Sequence, residues 1–169
     1  FDDWVPYSGG AEGSGRGIKD WLEKRIDEDL KIGIFKYPKI HNNGELTGEH
    51  WAEDLATKIA NVIGIDCAQA EVGKYYDTVG VMSYLVRNYY TENLVEGINY
   101  ITNKYPTYDP EKLKEYEENK IYSIQMIKES IKDTGLFFQF LKIPIFDCLI
   151  GNSDRHQSNW GLITDKSNK

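Results

Sequence analysis

The order of hydrophobic patterns predicts an α+β protein in two parts. Strand-like alternation over 31–37, an amphipathic helical pattern over 49–63 and short apolar runs at 67–72 and 79–86 come first; a helix-rich half follows, with the change of character near residue 90. The expected parts are 1–86 and 87–169, and a chain of 169 residues is long enough to bury roughly 70% of its unfolded surface. At 40% hydrophobic and 13% aromatic residues, it has the apolar surface to offset ordering entropy, which argues against disorder.

Each element has a local reason. In Lys31-Ile32-Gly33-Ile34-Phe35-Lys36-Tyr37-Pro38, the apolar alternation reads as a strand that Pro38 ends. After Thr47-Gly48, the residues Ala52, Leu55, Ala56, Ile59 and Ile63 recur at helical spacing, with Gly64 as the stop. Glu49 and Glu53 share one face of that helix. The runs at 67–72 and 79–86 read as antiparallel strands joined through residues 73–77.

From Thr91 onward the pattern predicts helices. Asp109-Pro110 offers an N-cap and a first-turn proline, with Leu113, Tyr116, Ile121, Ile124 and the stretch from Ile127 to Ile131 behind it as an apolar face. The almost wholly apolar stretch 136–150 reads as a central buried helix, which Pro144 kinks or divides. A last strand is expected over 160–163, then a turn.

Composition narrows the partners. With 20 Lys and Arg against 27 Asp and Glu, the formal charge is −7, which disfavours nucleic acid or anionic membrane as the main partner. No run approaches the roughly 18 apolar residues of a membrane-crossing helix. Cys67 and Cys148 lie among apolar residues and read as buried free thiols in a reducing, cytoplasmic setting. The chain begins at Phe1 and ends at Lys169, just past the last strand; the expectation is a piece of a longer protein whose second half is incomplete.

Two segments carry chemistry. Residues 8–17 are dense in glycine and read either as a flexible loop or as backbone that approaches phosphates, without the order of a nucleotide-binding P-loop. The stronger signal is Gly151-Asn152-Ser153-Asp154-Arg155-His156-Gln157-Ser158-Asn159, a polar loop between an apolar helix and an apolar strand. A plain turn would need fewer polar groups. Asp154, five residues before Asn159, suits phosphoryl transfer: the carboxylate orients an attacking hydroxyl and the amide oxygen ligates Mg²⁺. His156, between them, would hold the loop by hydrogen bonds.

This segment, with Trp160-Gly161 after it, resembles the catalytic loop of HipA-like kinases, bacterial serine/threonine kinase toxins and their relatives. Its D-R-H-x-x-N core is also similar to the loop of phosphatidylinositol kinases. The resemblance spans about residues 8–163 and implies a two-lobed protein-kinase-like fold, an ATP-binding lobe at 1–86, a helical lobe at 87–169, and ATP and Mg²⁺ as cofactors. By order in the chain, Lys36 resembles the strand lysine that holds phosphates and Glu53 the helix glutamate that pairs with it, with Glu49 competing for that role. Gly13, Ser14, Gly15 and Arg16 take the place of the phosphate-covering loop, and Ser83, Tyr84 and Leu85 that of the strand leading to the adenine hinge. The acceptor implied is a protein Ser or Thr hydroxyl, with Ser14 a candidate for autophosphorylation and an antitoxin-like protein a possible partner. The family pattern also needs a second metal-binding Asp beyond the Asn, a role not assigned to Asp165. A catalytically silent nucleotide-binding or scaffolding module, and a lipid or small-molecule kinase, are the alternatives.

Overall fold

A computed structural model describes residues 1–9, 18–88 and 90–167. The chain separates into two compact units, Phe1–Val86 and Arg87–Lys169. The α+β class expected from the sequence is the class observed.

The first unit is a five-stranded antiparallel sheet with one helix. Strands β1 (Val5–Pro6), β2 (Lys19–Ile26), β3 (Asp29–Lys36), β4 (Ala70–Tyr75) and β5 (Thr78–Tyr84) take the order β1-β2-β3-β5-β4. The β2–β3 hairpin turns at Asp27, with φ 55°, and the β4–β5 hairpin at Tyr76 and Asp77, with φ 44° and 65°. These left-handed turns suit the right-handed strand twist. The second connection is thus two residues long, shorter than the sequence suggests, because Gly73 to Tyr75 pair within the ladder. One sheet face carries Leu22, Phe35, Tyr75 and Met82 into a core completed by Trp4, with Phe1, Tyr37 and Tyr84 against it.

Helix α1 (Glu49–Ile63) packs on β4 and β5 and ends at Gly64, φ 72°, as the glycine predicts. Its rotation is not the one that apolar spacing alone would favour. The buried side is His50, Asp54, Thr57 and Ala60, while Leu55 is 58% and Ile63 48% exposed. Polar anchors decide this. The Thr57 hydroxyl donates to the Ala68 carbonyl (3.0 Å) and accepts from the Ala70 N–H (3.1 Å), stitching the helix to the start of β4.

The second unit opens with strand β6 (Glu92–Glu96), where the sequence suggested helix, and continues into α2 (Gly97–Lys104). No helix follows Asp109-Pro110. Instead β7 (Tyr108–Asp109), β8 (Lys114–Glu115) and β9 (Lys120–Ile121) form a three-stranded meander. The Asp109 carboxylate does cap backbone, accepting from Glu111 and Lys112 N–H (3.0 and 3.1 Å), but in a turn. Leu113 and Asn119 then adopt φ 52° and 53°, which breaks any helix. Glu115, 1% exposed, accepts from Thr107 and from the N–H groups of Glu117 and Glu118.

Helix α3 (Ile124–Ser130) starts at Ser123, whose hydroxyl accepts from the Met126 N–H. The Lys120 ammonium ties the meander to it, reaching Glu129 at 2.8 Å and the Tyr105 hydroxyl at 3.1 Å. Hydrogen bonds from Lys120, Tyr105 and Gln125 hold the Glu129 carboxyl at about 2. Helix α4 (Phe137–Ile150) carries Pro144 inside it and ends at Gly151, φ 72°. It is not the buried helix expected: only Phe140 and Asp147 are buried, and Phe138, Ile145 and Leu149 are exposed. Strand β10 (Gly161–Asp165) pairs with β6, extending two residues beyond the expected end. The core gathers Ile101, Tyr105, Tyr108, Met126, Ile127, Ile131, Phe140, Trp160 and Leu162. Gly97 lies under the Trp160 indole, where a Cβ would come within 2.1 Å of the ring, and its N–H donates to the Trp160 carbonyl.

Both cysteines are free, but Cys148 is exposed and Cys67 half-buried, so neither is the fully buried thiol expected. Among the described residues, no helix is long and apolar enough to cross a membrane.

The exposures on α4 set a contrast. Phe140→Ala should cost roughly 3–5 kcal/mol, because its ring packs edge-on against Trp160 at 5.0 Å. Phe138→Ala, at a position 79% exposed, should stay within about 0.5 kcal/mol. Urea unfolding of the two variants checks both values.

Candidate functional site

Each unit carries one group of the singled-out residues. In the first, Lys36 ends β3 and Glu53 lies one turn into α1. The Lys36 ammonium donates to both Glu53 carboxylate oxygens, at 3.0 and 2.8 Å. Glu49 is engaged elsewhere, accepting from Lys39 at 3.0 Å. Of the two glutamates left open by the sequence, the one beside Lys36 is therefore Glu53. The side chains of the pair are 39% and 35% exposed, so the ammonium is tethered yet open to solvent. A held cation of this kind can neutralise an anionic ligand without first losing rotamer freedom.

Ser83 and Tyr84 close β5 and Leu85 follows it. The Tyr84 N–H donates to the Gln69 carbonyl and the Leu85 N–H to the Ile32 carbonyl, so both backbone donors are used by the sheet and its connection. The Tyr84 hydroxyl bonds Glu71, and burial, then that carboxylate, push its pKa well above the usual phenol value. Gly13, Ser14, Gly15 and Arg16 lie outside the described residues.

In the second unit, the loop after α4 brings Asp154 and Asn159 together. The Asn159 amide nitrogen donates to the Asp154 backbone carbonyl at 2.6 Å and to its carboxylate at 3.3 Å. The Asp154 side chain is 80% exposed, open to an incoming hydroxyl. With the amide nitrogen turned to Asp154, the Asn159 side-chain oxygen accepts no hydrogen bond among the described residues. His156 Nδ1 accepts from the Ser158 N–H at 3.2 Å, and Nε2 stands 3.9 Å from the Asp154 carboxylate. The carboxylate that His156 faces is thus that of Asp154.

Two further residues shape this loop and escaped sequence reasoning. Asp147, inside the apolar run of α4, has a side chain only 6% exposed. Its carboxylate accepts from Arg155 Nε and Nη2, each at 2.8 Å, and from the Asn152 amide at 2.8 Å. Burial raises its pKa, but the Arg155 and Asn152 hydrogen bonds and the guanidinium charge outweigh burial, leaving it below the ordinary carboxylate value. Arg155 Nη1 donates in turn to the Asn159 carbonyl. The other residue is Tyr122, whose hydroxyl donates to the Arg155 carbonyl (3.2 Å) and accepts from the Trp160 indole (2.9 Å). One acidic residue in an apolar run was the signal available for Asp147; Tyr122 had none.

No family model and no curated protein matches the sequence. Among solved structures, the crystal structure of a Helicobacter pylori proinflammatory kinase, CtkA, matches with a TM-score of 0.73 at 20% identity, over 98% of this chain and 55% of that one. The fold is kinase-like. The chain spans about half the length of that kinase.

Asp165 sits in β10, where its carboxylate accepts from the Ser167 N–H and hydroxyl at 2.8 and 2.7 Å. Those bonds, hydroxyl first, lower its pKa. Among the described residues, no three His, Cys, Asp or Glu converge as a metal cluster. The oxygens of Asp154 and Asn159 are nonetheless the hard donors that suit Mg²⁺, which takes one or two protein ligands and fills its shell with phosphate and water oxygens.

Because the folded pKa of Asp147 lies below its unfolded value, its paired carboxylate stabilises the fold above the ordinary carboxylate range, and that stabilisation is lost as pH falls through the folded value. The urea midpoint of the native chain should therefore converge toward that of Asp147→Asn below about pH 4, while the gap stays constant between about pH 6 and 7. Parallel unfolding curves across this range check it.

Proposed function

We propose that this chain is the ATP- and Mg²⁺-dependent phosphotransferase part of a HipA-like kinase, acting on a protein Ser or Thr hydroxyl. The observation that carries this reading is the pairing of Asp154 with Asn159 in an exposed loop of a kinase-like fold. Phosphoryl transfer asks little covalent chemistry of a protein; it needs an acid that orients the acceptor, oxygens for a metal and cations for phosphate.

The roles follow from the groups. Asp154 accepts the acceptor's proton or orients its hydroxyl, and Asn159 offers its amide oxygen to Mg²⁺. Lys36, held by Glu53, neutralises phosphate charge. His156 steadies the loop through Ser158 and faces the Asp154 carboxylate. Gly13, Ser14, Gly15 and Arg16 would cover the phosphates, with Ser14 a candidate for autophosphorylation. Ser83, Tyr84 and Leu85 would lie toward the adenine, offering side chains and carbonyls since two of their N–H groups are taken. When bound, Mg-ATP supplies the transferable phosphoryl group and the metal that shields its charge. The free cysteines suit a cytoplasmic setting, and an antitoxin-like protein belongs to this reading as a partner.

The test begins with calorimetric titration of the full chain with ATP, with and without Mg²⁺. Lys36→Ala and Glu53→Gln should weaken binding, and Glu49→Gln should leave it unchanged. Binding indifferent to Lys36 would move the phosphate site elsewhere. Transfer to a Ser- or Thr-containing protein, followed with labelled ATP, should fall on the order of 10²–10⁴-fold in Asp154→Asn. Saturable binding with no transfer in the native chain would favour a catalytically silent module.

A further inference from the structure

We infer that Asp147 is the positioning residue of the 152–159 loop, setting through Arg155 where Asp154 and Asn159 stand. The catalytic consequence rests on the phosphotransfer reading; the structural one rests on contacts alone.

Among the described residues, the Asp147 side chain hydrogen-bonds to Arg155 and Asn152, and to neither Asp154 nor Asn159. It lies in the last turn of α4, and its backbone carbonyl accepts from the Gly151 and Asn152 N–H groups as the helix ends. Its side chain, 6% exposed, takes both arms of a guanidinium fork from Arg155 and the Asn152 amide as well. A two-point fork fixes the plane of the guanidinium, which a single contact would not. With that plane fixed, the remaining nitrogen, Nη1, is aimed at the Asn159 carbonyl. Asn159 then reaches back to Asp154 through its side-chain amide. One path from buried carboxylate to exposed acid is therefore Asp147, Arg155, Asn159, Asp154; a second, shorter one runs through Asn152, whose side-chain oxygen accepts from the Asp154 N–H at 3.2 Å.

The same residues are held from a second side. The Tyr122 hydroxyl fixes the Arg155 carbonyl, and the Trp160 indole, one residue past Asn159, donates to that hydroxyl. A buried ion pair is a poor device for stability alone, since apolar residues of similar volume often do as well. What an apolar pair cannot supply is direction. Orientation of Asn159 is what the Asp147–Arg155 fork adds.

The experiment compares the full native chain with Asp147→Asn, with Arg155→Lys, and with the paired apolar variant Asp147→Leu/Arg155→Met. Three quantities are read: the thermal midpoint, the ¹⁵N NMR signals of the Asn159 side-chain amide and Trp160 indole, and kcat and KM for ATP in phosphate transfer. In Asp147→Asn the Asn159 amide signal should move and kcat fall roughly 10–100-fold, with KM for ATP within about twofold. Arg155→Lys, which keeps the charge but loses the fork, should do the same and carries the test if Asp147→Asn fails to fold. The paired variant should recover the thermal midpoint without recovering the Asn159 signal or kcat. An unmoved Asn159 signal in the single variants, or a paired variant whose kcat returns with its midpoint, would overturn the inference. A native chain that transfers no phosphate overturns the phosphotransfer reading instead, and the Asn159 signal then decides the positioning by itself.

Discussion

A carboxylate almost sealed from water must be paired, and the second unit is organised around that requirement. Asp147 enters the protein interior on a helix made mostly of Phe, Leu and Ile, where an unpaired charge would be costly. The loop after α4 answers by folding back, so that Asn152 and Arg155 return to the carboxylate. Gly151 makes the reversal possible with its left-handed backbone. Asp154 is left exposed while Asn152 and Arg155, which flank it in the loop, are drawn to Asp147. Exposure of the acid and burial of Asp147 are two sides of one arrangement.

The first unit obeys a similar rule. Hydrophobic spacing alone would turn Leu55 and Ile63 of α1 toward the sheet. The Thr57 hydroxyl and the Lys36–Glu53 pair instead select the side bearing Asp54, Thr57 and Ala60. Small and polar residues let the helix lie close to the strands, and three or four directed contacts then outweigh a diffuse apolar preference. The orientation that brings Glu53 to Lys36 is thus the one that leaves apolar side chains outside.

Much of this architecture was legible in the sequence, and the failures are of one kind. The limits of α1 were readable because Gly64 marks its end, and β3 because Pro38 follows it. The polar loop at 152–159 stood out by composition. What could not be read was long-range pairing that overrides local pattern. Residues 108–121 look helical by charge and apolar spacing, yet Leu113 and Asn119 adopt left-handed backbone without being glycine, and Glu115 is buried to hold a turn. Strand β6 exists because β10, some seventy residues later, pairs with it. Neither the rotation of α1 nor the partner of Asp147 is encoded by spacing, since each is set by a residue distant in the chain or around a loop.

Gly97 carries the same logic into sequence variation. It opens α2, far along the chain from the polar loop, and any side chain there would collide with the Trp160 indole. Trp160 is the next residue after Asn159 and leans on Tyr122, so a methyl group at position 97 would be felt at the far end of the loop. In a saturation scan this glycine should behave as a member of the loop rather than of its own helix, intolerant even of alanine. Variants that restore it would be sought at Trp160, where a smaller ring makes room, and not among its neighbours in sequence.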